Sequence, residues 1–374
     1  MEDFIKLKIS LSKKDRTPKY YILSALYSME AHKKAVTSQQ VGDFLKLHLK
    51  DNELPQNIAS SLQAYDSYVA QTEKGPPKKW ILTESGIEHL RKMSSLPLKG
   101  NIESEYNYEI GIICALQDPE MNAVIEASSS NWIELENTKL VHVYRSTEIS
   151  TYRDSKLRIV ATTSTSMGLT AAAIATTHLI NNFKPRIIVM IGIAAGTRNG
   201  GKEFGDVLVA DPTIDYNSGK VVMIDGVRHF QPDPYPLGIS ARLRSLLAKY
   251  KGKPEIFNSI RNRWKGDLPG ARNSLHVGPL GAADQVIDDP SRIEEIQQSW
   301  RKLVGIEMET YGVYRAASEA AKPQPKFVSF KSVCDFAAEK SDNWQPYAAF
   351  TAAEFAFEFF KNEWENLEPT FQQE

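Results

Sequence analysis

Residues 305–349 open with Gly305-Ile306-Glu307-Met308-Glu309-Thr310 and close with Trp344-Gln345-Pro346-Tyr347-Ala348-Ala349. A helical pattern runs from the acid pair to Ala321, and Pro323 and Pro325 then turn the chain. An apolar strand follows, Phe327-Val328-Ser329-Phe330-Lys331-Ser332-Val333, ending on Cys334-Asp335-Phe336. Trp344-Gln345-Pro346-Tyr347 starts a last helix over 346–362, rich in Ala and Phe, against which Trp344 and Tyr347 pack. The stretch therefore sets an acid pair at a helix start and a lone Asp at the C-terminal end of a strand. In open α/β sheets the crevice at the strand C-termini is where ligands bind. Asp335 is a candidate there for acid/base work, although a lone Asp at a strand end is more often a cap.

Upstream, the same alternation recurs. Tyr108-Glu109-Ile110-Gly111-Ile112-Ile113-Cys114-Ala115-Leu116 reads as an apolar strand, followed by Gln117-Asp118-Pro119-Glu120 and a helix over 121–127. Val141-His142-Val143-Tyr144 and Leu157-Arg158-Ile159-Val160-Ala161 read as strands. Ser166-Met167-Gly168-Leu169-Thr170 leads into an Ala-rich helix to Asn181, and Lys184-Pro185 into Arg186-Ile187-Ile188-Val189-Met190-Ile191-Gly192-Ile193-Ala194-Ala195-Gly196. Strands alternating with helices predict an α/β sheet covered by helices. The small residues from Gly192 to Gly196 let backbone N–H groups approach a ligand, or serve packing alone. They are no dinucleotide fingerprint, because the third glycine and the following helix are not in place.

Composition bounds the rest. The 374 residues suggest two domains, with 42% hydrophobic and 24% charged residues, as in globular proteins. A net charge of -1 argues against bulk polyanion binding, although residues 1–100 carry 16 Lys and Arg against 11 Asp and Glu. Two cysteines, Cys114 and Cys334, build neither a disulfide framework nor a zinc site. No apolar run is long enough to span a membrane and no signal peptide is read, so a cytoplasmic protein is expected.

Before the α/β region the pattern changes. Tyr20, Ile22, Leu23, Leu26 and Met29 recur at helical spacing, Thr37-Ser38-Gln39-Gln40 starts a second helix, and a third is read over 54–65. Tyr68-Val69-Ala70-Gln71 and Lys79-Trp80-Ile81-Leu82 flank Glu73-Lys74-Gly75-Pro76-Pro77 as a strand–turn–strand, and Thr83-Glu84-Ser85-Gly86 opens a closing helix. This order resembles a winged-helix domain, small and α+β, over residues 1–95. A linker over 96–107 joins it to the α/β domain over 108–374. The third helix lacks Lys and Arg, so a protein partner is favoured over DNA as its contact.

Residues 108–364 resemble the nucleoside phosphorylase/nucleosidase superfamily, closest to a purine nucleosidase branch found in immune-type proteins. The residues that carry the likeness are Cys114-Ala115-Leu116 with Glu120, the strand ending at Gly196, the strand and purine-binding loop His276-Val277-Gly278-Pro279-Leu280-Gly281-Ala282-Ala283-Asp284-Gln285-Val286-Ile287, Glu307-Met308-Glu309, and Cys334-Asp335 followed by Trp344-Gln345-Pro346-Tyr347-Ala348-Ala349. The resemblance implies a three-layer α/β/α sandwich with a mixed sheet. It implies hydrolysis of a purine N-glycosidic bond, adenine being the expected base, in a nucleoside or a nucleotide such as ATP, whose depletion would serve antiviral defence.

The resemblance also distributes roles. Asp335 protonates the purine, Glu120 (or Asp118) activates water, and Glu309 binds ribose with Met308 packed on the sugar and Glu307 behind. Gly192, Ala194, Ala195 and Gly196 lie beside purine and ribose, and Ser166 and Gly168 form the nearby turn. Phe230 shapes the 5' end, where Arg228 and His229 meet a 5'-phosphate. No metal or organic cofactor is implied, and a homo-oligomer is. An acid at the first strand end and the absence of Arg beside Ser166 disfavour a phosphate nucleophile. A phosphorylase and a winged-helix regulator that uses the pocket as a ligand sensor remain the alternatives.

Overall fold

The computed structural model describes residues 4, 17–31, 34–72, 76–94, 106–135, 140–197, 201–336 and 342–371. The chain divides into two units, Met1–Glu105 and Tyr106–Glu374. The linker read over 96–107, apart from Tyr106 and Asn107, lies outside the described residues, as do Glu73, Lys74 and Gly75 of the strand–turn–strand.

The first unit runs α1 (Pro18–Ser28), β1 (Val36–Thr37), α2 (Ser38–His48), α3 (Ile58–Ala64), β2 (Val69–Gln71), β3 (Lys79–Leu82) and α4 (Glu84–Ser94). The start of α2 follows from local chemistry: the Thr37 hydroxyl accepts from Gln40 N and the Gln40 side chain accepts from Thr37 N. The third helix is shorter than its pattern. Asn57 caps it by accepting from Ser60 N, so Pro55 stays outside. β1, β3 and β2 form an antiparallel sheet in that order. Two residues of β1 were too few to read as a strand. Ile22, Leu23, Leu26, Val41, Leu45, Leu62, Trp80 and Leu82 meet in one core.

The second unit is built on β4 (Tyr108–Cys114), β5 (Ile133–Glu134), β6 (Tyr144–Ser150), β7 (Lys156–Thr163), β8 (Pro185–Gly196), β9 (Val207–Asp215), β12 (Leu275–Ala282), β13 (Gly305–Glu307) and β14 (Lys326–Asp335). These nine strands lie in the order β13-β12-β9-β14-β8-β4-β7-β6-β5. β4, β7, β8 and β14 pair in parallel, whereas β9 runs antiparallel to β14 and β6 to β7. The sheet is mixed, as expected. β13 also pairs with β8, Gly305 opposite Gly196, which curls the sheet back on itself.

Strand alternation explains the layers. Ile187, Val189 and Ile191 face the core containing α11 (Gln345–Leu367), where Phe330 packs on Phe355 and Phe359. Ile188 and Met190 face the other side, toward α6 (Leu169–Phe183) and Val313 and Ala317 of α10 (Thr310–Ser318). Buried on both faces, β8 needs a continuous apolar run. Between β4 and α5 (Asn122–Ser128) the chain makes a wide turn over Gln117–Met121, closed by Met121 N donating to Leu116 O at 3.1 Å. β10 (Gly219–Ile224) and β11 (Val227–Pro232) form a separate hairpin, and α7 (Ala241–Ala248), α8 (Pro254–Arg263) and α9 (Pro290–Ser299) complete the unit.

Candidate active site

Glu120 comes first, because its environment decides what the site can do. The wide turn after β4 carries its side chain back over the strand end, where it is 1% exposed. Ala115 N and Leu116 N donate to its Oε2 at 2.7 and 2.9 Å, and Ile193 N donates to Oε1 at 2.9 Å. Each carboxylate oxygen has two lone pairs. Oε2 is filled, and Oε1 keeps one site open. Burial pushes the Glu120 carboxyl up and the Glu309 charge adds to this, while Lys331 and the amide bonds oppose it. A carboxylate with a raised pKa and one free lone pair suits proton removal from water. Asp118, by contrast, is exposed and accepts from Asn122 Nδ2.

Gly192 makes this possible. A Cβ there would stand 2.1 Å from Glu120 Oε1. Gly192→Ala is expected to displace the carboxylate, and a misplacement of about 1 Å costs on the order of 10²-fold in rate. Single-turnover base release measures the loss.

Glu307 and Glu309 stand at the junction of β13 and α10. Glu307 accepts from Glu309 N and Thr310 N at 3.0 Å, satisfying amides at the helix start. Glu309 Oε1 accepts from Gly168 N at 3.1 Å, and Lys331 Nζ lies 3.2 Å from Glu309 Oε2 and 3.2 Å from Glu307 Oε2. Each Glu309 oxygen keeps a lone pair, so the side chain can accept from two adjacent hydroxyls. Lys331 is fully buried on β14. Its carboxylate neighbours hold it well above the ordinary lysine range despite burial. It balances one of the three buried charges of Glu120, Glu307 and Glu309.

Asp335 ends β14. Val333 pairs with Ala194 and Asp335 with Ala195, so Cys334 is an extra residue that bulges the strand and re-aims the carboxylate. Asp335 is half-buried, with the Cys334 thiol 3.5 Å from its Oδ2. Burial, and then the Asp335 charge, push that thiol up, so it stays protonated.

Glu120, Ala194, Ala195, Glu307, Met308, Glu309 and Asp335 line one cavity of about 260 Å³. Ala115, Leu116, Met167, Ile193, Tyr216, Gln285, Val286, Ile287, Ile306, Cys334 and Gln345 complete its wall. Gln285, Val286 and Ile287 end the motif that resembles a purine-binding loop and Gln345 belongs to the Trp-Gln-Pro-Tyr motif, whereas Tyr216 carried no sequence signal. Among the described residues that line it, none is Lys or Arg. Gly168, at φ +114°, serves through its amide on Glu309. Gly196 packs against Val333 and Phe336, and Ser166 lines a neighbouring cleft with Met308. Asp284 does not face the cavity but accepts from Leu169 N at the start of α6. Phe230 lies outside the cavity lining, on β11 beyond Tyr216. Ala337 and Ala338, which follow Phe336 in the sequence, lie outside the described residues.

Acids from the turn after β4, the junction of β13 and α10, and the end of β14 meet over a mixed sheet and define a class. The chain belongs to the phosphorylase superfamily, whose family model matches residues 109–366. Among its relatives, "Uncharacterized protein y4jS" of Sinorhizobium fredii is 28% identical over 324 residues, covering 82% of this chain and 78% of that one. "ATP nucleosidase Cap17" of Escherichia coli is 26% identical over 219 residues, covering 55% of this chain and 42% of that protein. A 5'-methylthioadenosine/S-adenosylhomocysteine nucleosidase of Bacillus velezensis is 27% identical over 180 residues, covering 47% of this chain and 68% of its own length. The crystal structure of a Helicobacter pylori MTAN mutant with 5'-methylthioadenosine in the active site shares the fold. Its TM-score is 0.51 at 19% identity, and the match covers 67% of this chain and 97% of that one.

Proposed function

We propose that the protein hydrolyses the N-glycosidic bond of a purine nucleoside or nucleotide, adenine being the base. One observation carries the reading. A buried carboxylate with a raised pKa, held by three backbone amides, shares a cavity with a second carboxylate at a strand end and a third set to hold adjacent hydroxyls. Glycoside cleavage builds positive charge on the sugar and negative charge on the leaving purine. Glu309 accepts from the ribose 2' and 3' hydroxyls. Glu120 takes a proton from water as the water oxygen bonds to C1', and the Asp335 carboxyl supplies a proton to the purine as the C1'–N9 bond breaks. Three buried carboxylates around one ammonium favour a cationic sugar. They oppose a phosphate nucleophile, which supports water instead. The nucleosidase names of the relatives support the same reaction, and the Cap17 name supports an adenine nucleotide such as ATP, whose depletion would serve defence.

The order β1-β3-β2 and the three preceding helices support a winged-helix reading of the first unit. Without Lys or Arg on α3, it serves as a module for a protein partner.

The test is free-base release from ATP, AMP, adenosine, deoxyadenosine and guanosine, with and without inorganic phosphate, beside Asp335→Asn. Release of adenine without phosphate is expected. The variant should lose about 10²–10⁴-fold, as for one acid/base group. Release that requires phosphate would replace water by phosphate as nucleophile, and full activity in the variant would remove Asp335 from the mechanism.

A further inference from the structure

A second cavity of about 400 Å³ adjoins the first, with Tyr216 lining both. Its walls are the β10–β11 hairpin and α9. Val221 pairs with Phe230 and Met223 with Arg228, so strand alternation sets Val221, Arg228 and Phe230 on one face of the hairpin. All three line the cavity. From α9, Arg292 enters it, with its guanidinium 5.7 Å from the Phe230 ring centroid. Arg292 donates to Asn217 Oδ1 at 3.2 Å and pairs with Glu295 at 2.8 Å. Arg228 is exposed and makes no ion pair among the described residues. The cavity thus gathers two guanidinium groups against Glu295, itself already bound to Arg292, while His229 alternates to the other face of the hairpin.

The two cavities thus divide by charge. Among the described residues the first is lined by acids without Lys or Arg, and the second is basic. Two guanidinium groups facing a concave wall match phosphate oxygens, which they bind through paired N–H donors. The acids of the first cavity repel phosphate, so a phosphorylated ligand spanning both has one orientation. With C1' between Glu120 and Asp335 and the 2' and 3' hydroxyls on Glu309, the 5' carbon is the ribose position left to leave the first cavity. Tyr216, packed with Ile287 and Ile306 of the first cavity, is the shared wall it passes.

We propose that the second cavity binds the 5'-phosphate chain of the substrate through Arg228 and Arg292, which makes the substrate a nucleoside polyphosphate rather than a nucleoside. The proposal rests on the nucleosidase reading above. It extends the sequence's placing of Arg228, His229 and Phe230 at the 5' end by adding Arg292, which is 64 positions from Arg228 in the chain and cannot be associated with it from sequence.

The experiment compares kcat/KM for ATP and adenosine in the wild-type protein and in Arg228→Ala, Arg228→Lys and Arg292→Ala. Calorimetric binding of inorganic tripolyphosphate accompanies it, and melting curves check the fold. ATP should be preferred, and each alanine variant should lower the ATP-to-adenosine ratio roughly 10- to 100-fold, the range for a hydrogen bond to a charged group. Arg228→Lys should lose less. A wild-type preference for adenosine, or a ratio unchanged in both alanine variants, would overturn the phosphate site while leaving the nucleosidase reading intact. If no substrate is cleaved, the nucleosidase reading fails. Tripolyphosphate binding that is lost in Arg228→Ala would then still support the site, and absence of binding to the wild-type protein would end it.

Discussion

Glu120→Gln is expected to lower kcat about 10²–10⁴-fold, the usual contribution of a positioned general base, with a much smaller change in KM. The amide keeps the size of the side chain but not its basicity. It also conflicts with its setting. Ala115 N and Leu116 N both donate to Oε2, and Ile193 N donates to Oε1. A glutamine can offer its oxygen at Oε2 and then faces Ile193 N with an NH₂ group, donor against donor. A modest loss of melting temperature should therefore accompany the kinetic loss, and the two are separable because substrate binding reports the fold. The pH profile gives the sharper readout. Burial raises the Glu120 carboxyl, so the acid limb of kcat/KM should lie above the ordinary glutamate value of about 4.3. In the variant that limb should vanish. Activity within a few-fold of wild type, or an unmoved limb, would mean that another group activates water.

The architecture was legible because parallel strands buried on both faces leave a strong mark. The run from Arg186 to Gly196 and the Ala-rich stretch of α6 allow little besides a helix-covered sheet. Elsewhere long-range pairing overrode local pattern. The strand read at 141–144 begins only at Tyr144 and continues to Ser150, because β7 supplies partners from Thr162 to Lys156 for residues that look polar by themselves. The carboxylates of the site stood out as acids at element boundaries. What holds them did not. Backbone amides of Ala115, Leu116 and Ile193 carry no residue signature, and the bulge at Cys334 depends on register with β8. Lys331 sits within the run from Phe327 to Val333, which otherwise reads as an apolar strand. A lysine in a doubly buried strand must be paired, and that was the available signal. Its partners lie 22 and 24 positions away and only the fold brings them to it. In the motif resembling a purine loop, Gln285, Val286 and Ile287 reach the cavity wall while Asp284 caps α6, and Phe230 belongs to a hairpin whose pairing the local pattern does not show.

Lys331→Met should be the most destabilising single change in the second unit, by about 3–5 kcal/mol, because it leaves buried carboxylates unpaired. The methionine fills a similar length, so the loss is one of charge and not of packing. The pH dependence has a definite sign. In the wild-type protein Lys331 is held above its unfolded value, so its stabilisation is fully present below that value and is lost only as pH rises through the folded one. At neutral pH it is complete. In the variant, Glu120 and Glu307, already raised by burial, lose the charge that opposed the rise. The folded state then binds more protons than the unfolded one, and stability falls as pH rises above about 4.3. Thermal melts should show the deficit smallest in acid and largest at neutral pH. The same change moves the acid limb of kcat/KM upward, since Glu120 must lose its proton to act, and it loosens Glu309, whose Oε2 the ammonium contacts at 3.2 Å. KM should therefore rise more than for Glu120→Gln. A deficit independent of pH would mean that the carboxylates are already protonated around a neutral core. In that case the three-acid, one-lysine charge balance that argues for water over phosphate would not hold.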